Sequence, residues 1–212
     1  MASTEEEGGE KHDETLVSII VPIHNGSADV VECLQSVLDQ TYQGRMQVCI
    51  VDDASTDSTP AVVEAFVAAH GGHPRVSFSV FRTPEGTPPG GPGFARNLAI
   101  RTLARGQWLC LLDADDVAFP ERVETQLEHL RGLPEDDKKR TVVGSQFVRL
   151  PEDSTPKYTA WANGLTAEQL YSHRFRCITL IQPTWFMHRA VYDAVGGYEE
   201  TYPAYPEDMR FF

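Results

Sequence analysis

Trp108-Leu109-Cys110-Leu111-Leu112-Asp113-Ala114-Asp115-Asp116 is an apolar run that ends in carboxylates. Five consecutive apolar residues fit a strand buried on both faces, the mark of a parallel sheet. Successive carboxylates at its end repel one another unless something positive lies between them. A hard divalent cation, Mn²⁺ or Mg²⁺, suits that place, because it takes oxygen ligands and leaves positions for water and phosphate oxygens. The same acidic run would equally serve as a turn capping the next helix.

Upstream, the chain alternates between two periodicities. Leu16 to Val21 is a β-branched run stopped by Pro22, followed by a loop through His24, Asn25 and Gly26, with Ser27 placed to cap the next helix. Val30, Leu34, Val37 and Leu38 form one stripe of that helix, which ends near Gln40. Gln47 to Val51 reads as a second strand, terminating at Asp52 and Asp53. Thr59 and Pro60 open a helix with Val62, Val63, Phe66 and Val67 on its buried side, stopped by Gly71 and Gly72. Arg75 to Phe81 is a short strand. Thr83 to Gly93 holds four prolines and four glycines, the kind of loop that commonly carries function. A helix from Phe94 to Arg105 leads into the strand that ends at Asp113, and Pro120 opens another with Val123, Leu127 and Leu130 on one side. Strands alternating with helices predict an α/β chain with a Rossmann-like, doubly wound, mainly parallel sheet. Beyond Leu133, longer strands at Thr141 to Leu150 and Ile178 to His188 predict antiparallel additions, with a Thr166/Gln169 capping box and an Arg189 to Val195 helix between and after them.

Composition narrows the class. The 212 residues carry a net charge of −13 and no block rich in lysine and arginine, which argues against a nucleic-acid partner. If the ligand is a nucleotide, a bound cation must supply the local positive charge. Cys33, Cys49, Cys110 and Cys177 form neither a zinc pattern nor a disulfide framework. Met1 to Glu14, with six acidic residues, reads as a disordered acidic tail preceding one domain over 15–212. No window approaches eighteen apolar residues, so no membrane span is expected and a cytoplasmic location is the default.

In a doubly wound sheet, ligands sit at the carboxyl ends of the strands, so Pro22 to Asn25, Asp52 with Asp53, and Asp113 with Asp115 should share one edge. A fixed aspartate can accept from the N3 donor of a uracil ring, and a diphosphate beside it needs a cation held by a second carboxylate. Asp53 and Asp115 fit those two tasks, although Asp-Asp-Ala-Ser-Thr-Asp is also a good Asx turn and helix cap.

Several motifs stand in a fixed order: LVSIIVPIHN (16–25), CLQSVLDQ (33–40), VDDASTDST (51–59), GFARN (93–97), LDADD (112–116) followed by Pro120-Glu121-Arg122, and Glu207-Asp208. The set resembles the family-two glycosyltransferases, which have the GT-A fold. With Pro183-Thr184-Trp185-Phe186 and Pro206-Glu207-Asp208 added, the chain looks most like the beta-1,3-N-acetylglucosaminyltransferase-like branch. The resemblance implies an inverting, metal-dependent transfer of a sugar, N-acetylglucosamine in that branch, from a UDP-sugar to an acceptor hydroxyl of a glycan or other molecule. It implies that Asp53 contacts uracil, that Asp115 of the DXD motif ligates Mn²⁺ or Mg²⁺, and that Asp113 supports nucleotide and metal. Pro22, His24, Asn25, Asp52, Arg96 and Ala114 complete the expected nucleotide site, and Trp185 and Glu207 the acceptor side. Asp208 matches the general base, which must come within about 3 Å of the acceptor hydroxyl to take its proton. Each residue also has a structural reading: Trp185 as core, Arg96 as a solvated helix residue, and His24 as a loop hydrogen bonder.

The family's domain continues past the Glu-Asp pair, so a chain ending at Phe212 is expected to be C-terminally truncated, with the base on a helix barely begun. That keeps a non-catalytic sugar-nucleotide-binding module as the alternative. A phosphatase of the haloacid dehalogenase type shares Asp113-x-Asp115-x-Val117 but places that motif on its first strand, whereas three strand-helix units precede it here.

Overall fold

The computed structural model describes residues 13–151, 153–173, 179–200 and 211. Its first half follows the expected alternation: β1 (Asp13–Ile23), α1 (Val30–Leu38), β2 (Met46–Asp52), α2 (Thr59–His70), β3 (Val76–Arg82), α3 (Pro92–Leu98), β4 (Gly106–Leu111) and α4 (Arg122–Arg131). β1 begins at Asp13, so Asp13 and Glu14, assigned above to the acidic tail, belong to the first strand. Residues 1–12 lie outside the described residues.

The second half holds α5 (Glu135–Lys138), β5 (Val142–Val143), α6 (Pro156–Asn163), α7 (Ala167–His173), β6 (Phe186–His188) and α8 (Arg189–Val195). The six strands lie in the order β3-β2-β1-β4-β6-β5. The first four are mutually parallel, while β6 runs antiparallel to β4 and β5 antiparallel to β6. The expected mainly parallel sheet with antiparallel additions is therefore present, but the added strands are far shorter than the sequence pattern suggested. The Asn163 side chain explains one of them. Its amide donates to Phe147 O at 2.7 Å and accepts from Phe147 N at 3.1 Å, taking the backbone groups that a ladder would have used. Pro183, inside a 3₁₀ turn at Gln182–Thr184, delays the other, since proline has no donor to give a neighbouring strand.

Crossover handedness decides which face each helix covers. The chain steps outward from β1 to β2 to β3 and then returns past β1 to β4, and right-handed crossovers in opposite directions lie on opposite faces. Val30, Leu34, Val63 and Phe66 of α1 and α2 accordingly pack one face against Val17, Ile19 and Val21, and Leu127 and Leu130 of α4, which leads to the antiparallel strands, share that face. Ala95, Ala99, Ile100 and Tyr192 pack the other against Ile20, Leu109 and Leu111. The helix expected to reach Arg105 leaves α pitch after Leu98 and continues as a π turn over Ala99–Leu103. Arg189 closes this turn by donating to the carbonyls of Ile100, Ala104 and Gly106, at 3.1, 2.7 and 3.2 Å.

The reversal of direction between β1 and β4 creates a topological switch point, where the loops after the two strands diverge and leave a crevice. Those loops carry residues 24–29 and 112–116.

Candidate active site

A cleft of about 390 Å³ opens at this switch point, lined by Pro22, His24 and Asn25 after β1, Asp53 after β2, Ala95 and Arg96 on α3, and Asp113, Ala114 and Asp115 after β4. Eight of the nine residues expected at the nucleotide and metal site therefore share one cavity. Asp52 is the exception. It is buried, its Oδ1 accepts from Ser55 N at 3.1 Å, and its Oδ2 lies 3.5 Å from Arg82 Nε, so the strand's pleat turns it away from the cleft as a turn-forming residue.

The loops after β1 and β2 are fastened together by their own polar side chains. Asn25, in the left-handed conformation that asparagine tolerates, accepts at Oδ1 from Thr56 N and Asp57 N at 2.8 and 3.3 Å. Its amide nitrogen thus faces His24 Nε2, 3.0 Å away. His24 Nδ1 lies 2.6 Å from the Asp53 carbonyl, which can only accept, so the ring carries its proton on Nδ1 and receives one at Nε2. Asp57 accepts from the hydroxyl and backbone of Thr59 and, more weakly, from Ser27 N, and these bonds hold its carboxyl well below the usual range. Ser27, expected to cap α1, instead gives its amide to Asp57.

Asp53 was expected to contact a uracil as a fixed acceptor. It is buried, and both carboxylate oxygens already accept backbone amides across the sheet edge, Oδ1 from Gly90 at 3.0 Å and Oδ2 from Gly91 at 2.7 Å. Gly91 adopts φ +88°, which lets the two successive amides point at one carboxylate. The Gly/Pro-rich loop is therefore pinned at its end, directly before α3. Each carboxylate oxygen has a further lone pair, so a ligand donor can still be accepted.

α3 delivers Arg96 to the other side of the cleft. Its Nη2 donates to Asp113 Oδ1 at 2.6 Å, with the arginine side chain only 3% exposed. Arg96 also lies over the Tyr198 ring, 5.9 Å from its centroid. The structural reading of Arg96 as a solvated helix residue is thus overturned: it is a buried partner of Asp113.

Asp113, Asp115 and Asp116 bring one carboxylate oxygen each within 4.8 Å of one another. Asp116 was not singled out in the sequence, although it completes the run. Partial burial, then the charges of Asp113 and Asp115, push its carboxyl up to about 6, against the opposing pull of Arg122 and Arg149. Three crowded oxygen donors open to solvent are the donor set of a hard divalent cation, so Mn²⁺ or Mg²⁺ fits these residues.

On the acceptor side, Glu207 and the expected base Asp208 lie outside the described residues. Trp185 requires a correction. It is 1% exposed, its indole N–H donates to Leu180 O at 3.0 Å, and its ring packs 5.3 Å from Phe211. With no open face, it is a core residue and offers no platform to a sugar. No helix among the described residues is long and apolar enough to cross a membrane.

The model of "Glycosyl transferase family 2" matches residues 18–196. A chondroitin synthase of Escherichia coli is 40% identical over 116 residues, which is 55% of this chain and 15% of that protein. Among solved structures, TarS 1–349 of S. aureus in complex with UDP superposes with a TM-score of 0.61 at 21% identity, covering 92% of this chain and 53% of TarS 1–349. The same TarS fragment with UDP-GlcNAc gives 0.60 at 23% identity, covering 92% and 51%. The mannosyltransferase PcManGT of Pyrobaculum calidifontis, with GDP-Man and Mn²⁺, gives 0.60 at 24% identity, covering 92% and 50%. These likenesses carry the fold, and the chain spans about half of each structure.

Proposed function

Because the chain belongs to glycosyl transferase family 2, we propose that its switch-point cleft binds a UDP-sugar together with Mn²⁺ or Mg²⁺ and passes the sugar, with inversion, to an acceptor hydroxyl. The observation that carries this reading is the meeting of Asp113, Asp115 and Asp116 within 4.8 Å, in a cleft that also holds Asp53 and buried Arg96. Asp115, exposed and at the centre of the run, is the direct metal ligand in this proposal, with Asp113 and Asp116 beside it. The metal, when bound, neutralises charge on the diphosphate.

The chain's own residues supply the rest. Asp53, held by Gly90 and Gly91, presents its remaining lone pairs to the uracil N3 donor. His24 and Asn25 line the entrance, and Pro22 and Ala114 give apolar walls to the base and ribose. Arg96 fixes Asp113 in place, so one carboxylate does not rotate away when the cation leaves. Asp208 is the proposed base, taking the acceptor proton from the side opposite the diphosphate. N-acetylglucosamine is the proposed sugar, supported by the branch resemblance and by TarS, a structural neighbour solved with UDP-GlcNAc.

Calorimetric titration with UDP, with and without Mn²⁺, tests the site. Metal-dependent binding that disappears in Asp115→Asn is expected, and metal-independent or absent binding would refute the proposal. Turnover of UDP-N-acetylglucosamine that survives Asp208→Asn would refute the assignment of the base.

A further inference from the structure

The α6 helix (Pro156–Asn163) carries two aromatic residues three apart, Tyr158 and Trp161, which therefore share one face. No residue of α6 is buried, and each of the two aromatic residues is 39% exposed. Neighbouring aromatic rings left at a surface mark a binding place, unlike apolar residues scattered singly. Tyr and Trp are also residue types that dominate recognition, because each combines a broad apolar face with a polar tip.

The rings belong to a row. The centroids of Tyr158 and Trp161 lie 5.7 Å apart, Phe147 follows 6.5 Å from Tyr158, and the Arg149 guanidinium lies 5.6 Å from the centroid of Phe147. Arg149 in turn is near enough to act on the Asp116 carboxyl, so the row leads from α6 to the acidic cluster. Asn163, at the end of α6, fixes it. Its two hydrogen bonds to the Phe147 backbone hold that residue against the helix, and Gln146 Nε2 donates to Asn163 O at 3.0 Å. A recess of about 190 Å³ lies beside this clamp, lined by Phe147, Asn163 and Leu180.

We propose that Phe147, Tyr158 and Trp161 form a stacking platform for the acceptor, an uncharged β-linked oligosaccharide of gluco configuration. The proposal rests on the transferase reading, which requires an acceptor beside the metal site. β-Linked gluco-configured rings carry their substituents equatorially, so their C–H faces are free to lie on the negative faces of aromatic rings. A net charge of −13 favours an uncharged saccharide over an acidic one. Size argues against a protein partner: a helix of 8 residues spans about 12 Å, the length of a short saccharide, whereas a stable protein contact takes about 800 Å² from each partner.

The test titrates the full chain with chitotriose in EDTA and without nucleotide. Of the three tryptophans, Trp108 and Trp185 are buried and Trp161 is exposed, so a saturable change in tryptophan emission is expected as the platform fills. By calorimetry, Tyr158→Ala and Trp161→Ala should each weaken binding at least about tenfold with Tm close to the parent's, and Trp161→Phe, which keeps a ring, should recover most of it. Asp115→Asn should bind chitotriose as the parent does. When Mn²⁺ replaces EDTA, the proton signals of bound chitotriose should broaden, and less so in Asp115→Asn, because the paramagnetic ion sits at the end of the row. No saturable binding, full binding by Trp161→Ala, or no broadening while Mn²⁺-dependent UDP binding holds would overturn the proposal. Parent dimers that dissociate in Trp161→Ala would also overturn it, assigning the rings to a second copy of the chain. Chitotriose binding in EDTA without metal-dependent UDP binding would sink the donor-site reading alone and leave the platform standing as a saccharide site.

Discussion

The guanidinium of Arg96 and the carboxylate of Asp113 meet at 2.6 Å across the floor of the cleft, joining α3 to the end of β4. The arginine is buried while the Asp113 side chain is 27% exposed, so the pair lies at the boundary between core and solvent. Replacing Arg96 by Gln keeps much of its length but removes the charge. Asp113 would then lose the nearest cation that offsets its repulsion of Asp115 and Asp116 in the metal-free protein. We expect stability to fall by about 1.5–3 kcal/mol, the range for a hydrogen bond to a charged group. Mn²⁺ should restore more stability to the variant than to the parent, since the cation replaces the lost positive charge. Thermal melts with and without Mn²⁺ check this, and equal metal-induced shifts in the two proteins would contradict it.

Asp53 anchors the loop before α3 and also lines the cleft. Asn in its place offers one acceptor oxygen and one amide donor, so one of the two glycine amides would meet a donor. A buried amide left without a partner costs about 1–3 kcal/mol. Asp53→Asn should therefore make the segment 83–91 more easily cut by proteases as well as weakening UDP binding. Gly91→Ala tests the loop separately, because φ +88° with ψ 172° is a region essentially confined to glycine and costs an alanine about 1–3 kcal/mol. If Asp53→Asn weakens UDP while cleavage of the loop stays unchanged, the anchoring role is wrong.

Asn97, the next residue on α3, ties down a different segment. Its Oδ1 accepts from Tyr192 Oη at 2.8 Å and Tyr198 N at 2.9 Å, and its Nδ2 donates to Tyr198 O at 2.9 Å and to the Glu200 carboxylate. Asn97→Ala strands several of these groups in a buried setting, an expected loss of about 3 kcal/mol, or some 6–12 °C in Tm. Asp at this position keeps two acceptors but no donor, so it should recover only part of the loss. A melt of Asn97→Ala within about 2 °C of the parent would rule this out, since about 1 kcal/mol corresponds to that shift.

Arg96 and Asn97 also show where sequence reasoning reaches its limit. The strand ends were legible because an apolar run that stops at Asp113, or at Asp52-Asp53, marks both a buried strand and its carboxyl end. The switch-point cleft followed from the alternation of strands and helices. The partners of the cleft residues were not legible, since each depends on a contact distant in sequence: Asp53 with Gly90 and Gly91, Arg96 with Asp113, Asn97 with Tyr198. Asp52 and Asp53 look alike in sequence, and only the pleat separates the turn former from the cleft residue. The choice between the acceptor-side and core readings of Trp185 was not legible for a related reason. An aromatic beside a strand of only three residues can face either way, and Phe211 and Tyr198 close over this side of the sheet.

The cysteines make a prediction about alkaline pH. Cys33, Cys49 and Cys110 are buried free thiols, and burial pushes all three up, Cys49 to about 12. Above pH 9 the unfolded chain gives up these protons while the folded protein keeps them, so the unfolded state is increasingly favoured. The stabilisation is thus complete below pH 9 and is lost as pH rises toward the folded values. Each thiol contributes a slope of about 1.4 kcal/mol per pH unit in that window. Urea melts at pH 8, 9 and 10 should show stability nearly level over the first interval and falling steeply over the second. Cys49→Ala should reduce that fall by one thiol's share, whatever it does to stability at pH 8. A native protein whose three described thiols react with a thiol reagent at pH 8 as fast as the denatured chain would contradict their burial, and with it the origin of the slope.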